Sequence, residues 1–406
     1  MRFVPVLTAA FAALSICAGA TLAADPDPRN WDAVIAEAKG QTVYFNAWGG
    51  DTQINDYVAW AGGEVEKRYG VKVVHVKLND TADAVNRVLA EKTAGTNEGG
   101  SVDLIWINGA NFASMKGKGL LLGNAWAEAT PSFKGADAAN NPGVRNDFTV
   151  PVEGQESPWG KAQLVFAYDS EKLKDPPRSM PALLAWAKAN PGRFAYPLPP
   201  DFTGTTFLKQ ALLELAADKA PLYAPADKAD FAKVTAPLWA FLDELHPALW
   251  HAGKAFPGNY PDMRHLLADN EVSISFAFNP SDASSGIAKG ELPKSVRTFV
   301  LEKGTIGNVH FVAIPFNAKA KAGAMVLANF LLSPEAQARK QDPAIWGDPT
   351  VLAVGGLAAE DKAKFDALAL GIATLKPAEL GAPVPEPHPS WVDALVKEWQ
   401  KRYAGK

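Results

Sequence analysis

A single cysteine, Cys17, and six histidines are all that the 406-residue chain offers to thiol or imidazole chemistry. With one cysteine no internal disulfide can form. The histidines are His75, His246, His251, His265, His310 and His388, and they do not gather. His246 and His251 stand five apart in HPALWH, whereas a helical metal pair needs three or four, and no HExxH motif accompanies them. No GxSxG elbow and no GxxxxGK[ST] phosphate loop is present, and GKGLLLG (Gly117–Gly123) is too irregular for a dinucleotide loop. NPSDASSG (Asn279–Gly286) offers serine and aspartate but no nearby histidine. A hydrolase therefore lacks a nucleophile–base pair. None of the 8 tyrosines has a tyrosine neighbour, so a ferric site would lack its usual phenolates. Charge of one sign is missing too. Lys+Arg number 40 against 44 Asp+Glu, with no long basic run, which excludes a nucleic-acid footprint.

What is present is apolar. Hydrophobic residues make up 48% of the chain, enough for a large core, and the length predicts two lobes. Residues 1–24 read as an export leader. Arg2 precedes an apolar stretch from Phe3 to Ile16, followed by the small-residue runs AGA and TLAA. That stretch is too short for a comfortable membrane span. Cys17 lies inside it behind LSI, where a lipoprotein signal wants glycine or alanine in place of Ile16. Removal of the leader leaves a mature chain without cysteine.

Beyond the leader the pattern alternates. NWDAVIAEAKG (Asn30–Gly40) reads as a helix, QTVYF as a strand, Thr52–Gly70 as a helix and Val71–Leu78 as a strand. Asp80–Gly95 is again helical, with Asp80 or Thr81 as cap, and VDLIWIN (Val102–Asn108) is a buried strand. Strand–helix alternation predicts an α/β fold with mostly parallel sheets. Ligands in such sheets bind beyond the carboxyl ends of the strands. Further on, a helix is expected over Met180–Ala189, a strand over Arg193–Tyr196 and a second helix at GTTFLKQALLEL. Strands follow around 270–282 and 309–316, then a small-residue helix and a helical tail from Ala358.

Two strand ends carry similar chemistry. One is NAWGGD (Asn46–Asp51), the other NGANF (Asn108–Phe112). Gly49 and Gly50 permit a turn with positive torsions, which would swing Trp48 to a ligand rim. DFTGTTFLK (Asp201–Lys209) opens a helix whose free N–H groups suit an anionic or carbonyl-like atom, although the same residues also suit a plain capped helix start. Trp159 in SPWGK and Tyr260 in PGNYPD are aromatics in Gly/Pro-flanked loops, able to face a cation or a flat ring or to cap a core edge. Asp51 and Asp201 lie near such rims. Trp106, in mid-strand, reads as core rather than site.

In order along the chain, VYFNAWGGD, YGVKVVHV, AVNRVLAEKTAG, SVDLIWING, GKAQLVFAYDSEKL, DFTGTTF, EVSISFAFNP and AIPFNAKAKAGAMVLANFLLSPEAQ resemble the bacterial extracellular solute-binding proteins of ABC importers. NAWGGD with SVDLIWINGANFASMKGKGLL is most similar to a branch associated with thiamine transport. The resemblance implies a type II-like two-lobe periplasmic-binding-protein fold, no enzyme activity, no cofactor, no metal, a periplasmic monomer and a membrane permease as partner. It places residues 31–163 plus 270–312 in the first lobe and 164–269 plus 313–406 in the second, with QLVFAYDS and FVAIPF as the crossings. The expected ligand contacts are Asn46, Trp48, Gly49, Asp51, Asn108, Asn111, Trp159, Asp201, Thr203, Gly204, Thr205, Thr206, Tyr260 and Asn279. Thiamine is the first expected ligand. A polyamine, which would need more acids, and a small organic anion held by the helix start alone are the alternatives.

Overall fold

The computed structural model describes residues 25–403, so the expected leader lies outside the described residues. Helix α1 (Trp31–Ala38) starts at Asn30, whose side chain accepts the Ala33 N–H at 3.3 Å. Strand β1 (Thr42–Trp48) leads to α2 (Thr52–Tyr69), capped by Asp51 and stopped by Gly70 at φ 69°. There follow β2 (Lys72–Leu78), α3 (Thr81–Thr93) capped by Asp80, β3 (Leu104–Ile107), α4 (Gly109–Gly117), the short pair β4 (Asn146–Asp147) and β5 (Val150–Pro151), and β6 (Glu156–Gln163). The chain continues through β7 (Val165–Asp169), α5 (Met180–Ala189), α6 (Phe202–Leu215), α7 (Phe231–Leu245), α8 (Tyr260–Ala268), β8 (Ile274–Ala277), α9 (Asp282–Ala288) and β9 (Val296–Phe299). It ends in β10 (Gly307–Ala313), α10 (Lys321–Leu331), α11 (Pro334–Gln341), α12 (Ala359–Asp366), α13 (Pro377–Leu380) and α14 (Ser390–Tyr403). None of these helices is long and apolar enough to cross a membrane.

The larger sheet has the order β2-β1-β3-β10-β6. Its first three strands are parallel, and β10 runs antiparallel to both β3 and β6. Side chains alternate strictly across it. Leu104 and Val312 pack with Val43 and Phe45 on one face, while Ile105, Ile107, Phe311 and Ala313 pack on the other. The smaller sheet, β8-β7-β9, is antiparallel and carries its own core around Phe166, Phe194, Phe207, Phe276 and Trp399. The fold is thus α/β with helix-flanked sheets in two lobes; four strands of the larger sheet run the same way and β10 alone opposes them, while the smaller sheet departs from the expected parallel arrangement. Arg193–Tyr196 forms no strand. Phe194 makes a lone bridge to Ile274, and the prolines at 197, 199 and 200 then remove the N–H donors that a ladder needs.

Hydrogen bonding and packing divide the chain differently from the expected boundaries. Residues 274–299 supply β8 and β9 to the smaller sheet, because β7 pairs with both. Helix α10 and Trp346 pack on the larger sheet, where Gly323 lets the helix approach β1 so closely that an added Cβ would fall 2.8 Å from Val43. QLVFAYDS does cross between sheets, at Leu164. FVAIPF does not: Phe311–Ala313 lie inside β10, and the return crossing falls between β9 and β10. A third passage lies between Leu368, packed on the larger sheet's core, and Ala373, buried in the other.

Trp159 is fully buried in the first lobe. Its ring meets Trp106 at 5.0 Å, Trp346 at 5.3 Å and Phe45 at 5.7 Å. It is a core residue, contrary to the expectation of a ligand contact, because β6 continues through SPWGK and turns the ring inward. Trp159→Ala is expected to cost about 3–5 kcal/mol of stability, read as a lowered denaturant midpoint at unchanged slope.

Candidate functional site

Between the lobes lies a cleft of about 570 Å³. The larger-sheet lobe contributes the ends of β1 and β3 through Trp48, Trp106 and Asn108, the start of α3 through Asp80 and Thr81, Asn111 on α4, and His310, Trp346 and Asp348. The other lobe contributes Asp201, Phe202, Thr203, Thr205 and Lys209 from the start of α6, Tyr260 from α8, Phe278, Asn279, and Asp393 and Lys397 from α14. Eight expected contacts reach this wall: Trp48, Asn108, Asn111, Asp201, Thr203, Thr205, Tyr260 and Asn279.

The turn after β1 works by space rather than by unusual torsion. Neither Gly49 nor Gly50 has a positive φ. A Cβ on Gly50 would fall 2.3 Å from the Trp48 ring, and one on Gly49 would fall 2.6 Å from the Lys77 side chain. The glycines let the indole fold back over the chain, half-buried, with its far side against Tyr260 of the opposite lobe at 5.6 Å between centroids.

The start of α6 is a capped one. The Asp201 carboxylate accepts from the N–H groups of Thr203 at 2.8 Å and Gly204 at 2.9 Å through Oδ1. The donors that an anion would use are therefore occupied, and the position carries negative charge. Burial pushes the Asp201 carboxyl up to about 6; the two N–H bonds oppose the rise, and the nearby Asp80 and Asp262 add to it. Thr205 Oγ1, buried at the wall, has no protein partner among the described residues.

The remaining expected contacts serve structure. Asn46 is buried within β1, its Nδ2 donating to the Tyr44 carbonyl at 3.1 Å. Gly49 donates its N–H to Leu78 at 2.9 Å. Gly204 lets α6 approach Pro197, whose carbonyl oxygen would sit 2.1 Å from an added Cβ. Thr206 Oγ1 donates back to the Phe202 carbonyl at 2.8 Å. Asp51 caps α2 and faces Arg264 of the other lobe, outside the cleft wall.

Several wall residues escaped sequence reading. Trp106 sits in mid-strand, yet is only half-buried, and lines the cleft beside Trp346. Its place two residues before Asn108, at the same strand end, was the available signal. Trp346, His310 and Asp348 come from distant segments. Asp348 lies 3.2 Å from His310 Nε2 and pairs with the buried Lys340. Burial would raise its carboxyl, but those two neighbours hold it below its ordinary value. Gly160 makes room for this cluster, since a Cβ there would fall 1.9 Å from Asp348 Oδ2. Lys209 is neutralised by Glu386 at 2.6 Å and lies over the Phe148 ring of the facing lobe at 4.7 Å.

Two α/β lobes around an aromatic cleft define a solute-binding protein. The chain belongs to the bacterial extracellular solute-binding protein family, whose model matches residues 60–352. It is 49% identical over 391 residues to the protein YnjB of Escherichia coli (strain K12), covering 96% of this chain and 97% of that one. The fold is similar to the periplasmic binding protein AfuA from Actinobacillus pleuropneumoniae, in a structure with fructose-6-phosphate bound (TM-score 0.62, 16% identity, 90% of this chain and 99% of that one). It is also similar to a putative spermidine/putrescine ABC transporter from Listeria monocytogenes (TM-score 0.61, 17% identity, 89% and 99% covered). This is a non-enzymatic, periplasmic component of an ABC importer that clamps a small solute and pairs with a permease.

Trp48→Ala is expected to lower affinity for the solute that co-purifies with the protein by about five- to a hundredfold, as for loss of a stacked aromatic. Its unfolding free energy should fall by less than that of Trp159→Ala. A large loss of stability with unchanged affinity would instead make Trp48 a core residue.

Proposed function

We propose that the cleft captures a small organic cation, with amine-bearing chains such as polyamines ahead of thiamine. The observation that carries this reading is Asp201. Its carboxylate occupies the helix start that an anion would need, and it feels Asp80 from across the cleft. Each of the two caps a helix, one on each lobe. Bringing them together in a site of low polarity is unfavourable until a positive charge lies between them. Trp48, Trp106, Trp346 and Tyr260 supply faces worth roughly 0.5–2 kcal/mol each to a cation. The acids required for a polyamine, few in the sequence reading, are increased by Asp80 and Asp393 at the wall.

The fold itself is neutral on charge, as the sugar phosphate held by AfuA and the spermidine/putrescine description of the Listeria protein illustrate. Side chains decide. Thiamine keeps a place as a flat cation suited to indole walls, but the carboxylates distributed over both lobes favour a ligand with separated positive groups.

Mass spectrometry of the co-purified solute, followed by thermal-shift titration with spermidine, putrescine, thiamine and small carboxylates, tests the reading. A ligand at 100 times its Kd stabilises by about 2.7 kcal/mol, so a true ligand gives a clear shift. Shifts with carboxylates alone would overturn the proposal. The bound form should also have the smaller radius of gyration by X-ray scattering.

The raised Asp201 carboxyl sets a pH dependence. Its charged form is lost as pH falls through about 6, so the affinity for a cation should drop below that pH, by up to tenfold per pH unit. Asp201→Asn keeps a good cap and removes the charge, so it should weaken binding at pH 7 and abolish this pH slope. Titration calorimetry between pH 5 and 8 reads both.

A further inference from the structure

One buried ion pair joins the lobes without lining the cleft. Asp51 stands at the start of α2 on the larger-sheet lobe, and Arg264 stands on α8 of the other. Both are less than a tenth exposed. The two oxygens of Asp51 have different tasks. Oδ1 accepts the Gln53 N–H at 2.7 Å and so caps its own helix. Oδ2 faces across the gap, 3.6 Å from Arg264 Nη2 and 3.3 Å from the Tyr260 hydroxyl, which donates to it.

Arg264 has other acids in its own lobe. Its Nη1 lies 2.7 Å from Asp282 Oδ1 and its Nε 3.2 Å from Glu291 Oε2. If the lobes separate, Arg264 keeps both partners and Asp51 passes into water still holding its cap. Neither lobe is left with a stranded buried charge, the usual large cost of breaking such a pair. The contact can therefore be made and broken reversibly. It also holds Tyr260 beside Trp48, at 5.6 Å between ring centroids, so the contact and the meeting of the two aromatic walls of the cleft mouth share one residue. Lys209 and Glu386 differ, for they pair with each other at 2.6 Å, and Glu386 also accepts from Asn308 Nδ2 near the start of β10 at 2.9 Å.

We infer that Asp51 is a positioning residue for solute capture: through Arg264 and Tyr260 it latches the closed arrangement and sets affinity without touching the solute. Apparent affinity scales with the fraction of molecules in the binding-competent state, so weakening the latch weakens binding of any solute.

The test needs no solute and is therefore separate from the question of ligand class. Cysteines replace the exposed Lys67 and Lys289, one on each lobe, in the otherwise cysteine-free mature chain, and carry nitroxide labels. The protein is stripped of bound solute by unfolding and refolding, and inter-lobe distances are measured by pulsed electron resonance. Asp51→Asn keeps the cap, because asparagine caps as well as aspartate. It is expected to lower the closed-to-open ratio by about fivefold or more, within the usual range of pairwise couplings, while Tm moves by no more than about 2 °C. Superimposable distance distributions would overturn the inference. So would a clear fall in Tm with unchanged distances, which is what a purely structural role predicts. If Asp51→Asn fails to fold, Tyr260→Phe, which keeps the ring and removes the hydroxyl, must still lengthen the distances; no lengthening would overturn the inference equally.

Discussion

A single residue separates the two sheets where the chain first passes between lobes. Leu164 follows the last residue of β6 and precedes the first of β7, and it is fully buried. Its N–H donates to Ile306 at 2.8 Å, just before the returning strand β10 begins, while Gln163 reaches Thr305 and the Leu380 carbonyl. The first two passages between lobes are tied together there, and Leu380, on the segment after the third, joins them. Because the backbone at that point is hydrogen-bonded and short, the lobes keep a common base, and the cleft opens on the side where β1 and β3 end. Trp48, Asn108 and the start of α6 owe their mutual approach to that base.

The charges around the cleft follow a consistent division. Some charges are closed on a protein partner beside the cleft: Lys209 with Glu386, and Asp348 with Lys340 and His310. They fix the wall without depending on a ligand. The charges that depend on closure are Asp51, whose partner lies opposite, and the pair Asp80 and Asp201, whose facing charges repel. A protein that must close on a solute and release it again needs that second group to stay small. Each member is also a helix cap, so its side chain is held in position by local bonds before any inter-lobe contact forms.

Aromatic residues divide along the same line. Trp159 and Tyr57 lie beneath the wall as core, while Trp48, Trp106 and Trp346 form its surface. The indoles pack edge to face, at 5.0 to 5.6 Å between centroids for Trp106, Trp159 and Trp346. The wall thus rests on rigid aromatic packing, which limits the reorganisation that binding would otherwise require.

The sequence by itself determined the elements near the front of the chain, from α1 through β3, because apolar period, caps and glycine stops all agree there. It also determined the family, and with it the two-lobed architecture and the absence of catalytic chemistry. It picked out Trp48, Asn108 and Asp201, since strand ends and helix starts can be read locally. Only tertiary structure decided that Trp159 turns inward and Trp106 faces the cleft, because burial of a strand residue depends on which face its neighbours cover. Only tertiary structure placed β8 and β9 beside β7, a pairing across more than a hundred residues that no local period encodes. Asp51 shows the limit most clearly. Its cap is written in the four residues around it, but its second oxygen meets Arg264, more than two hundred residues away, and that contact exists only when two lobes come together.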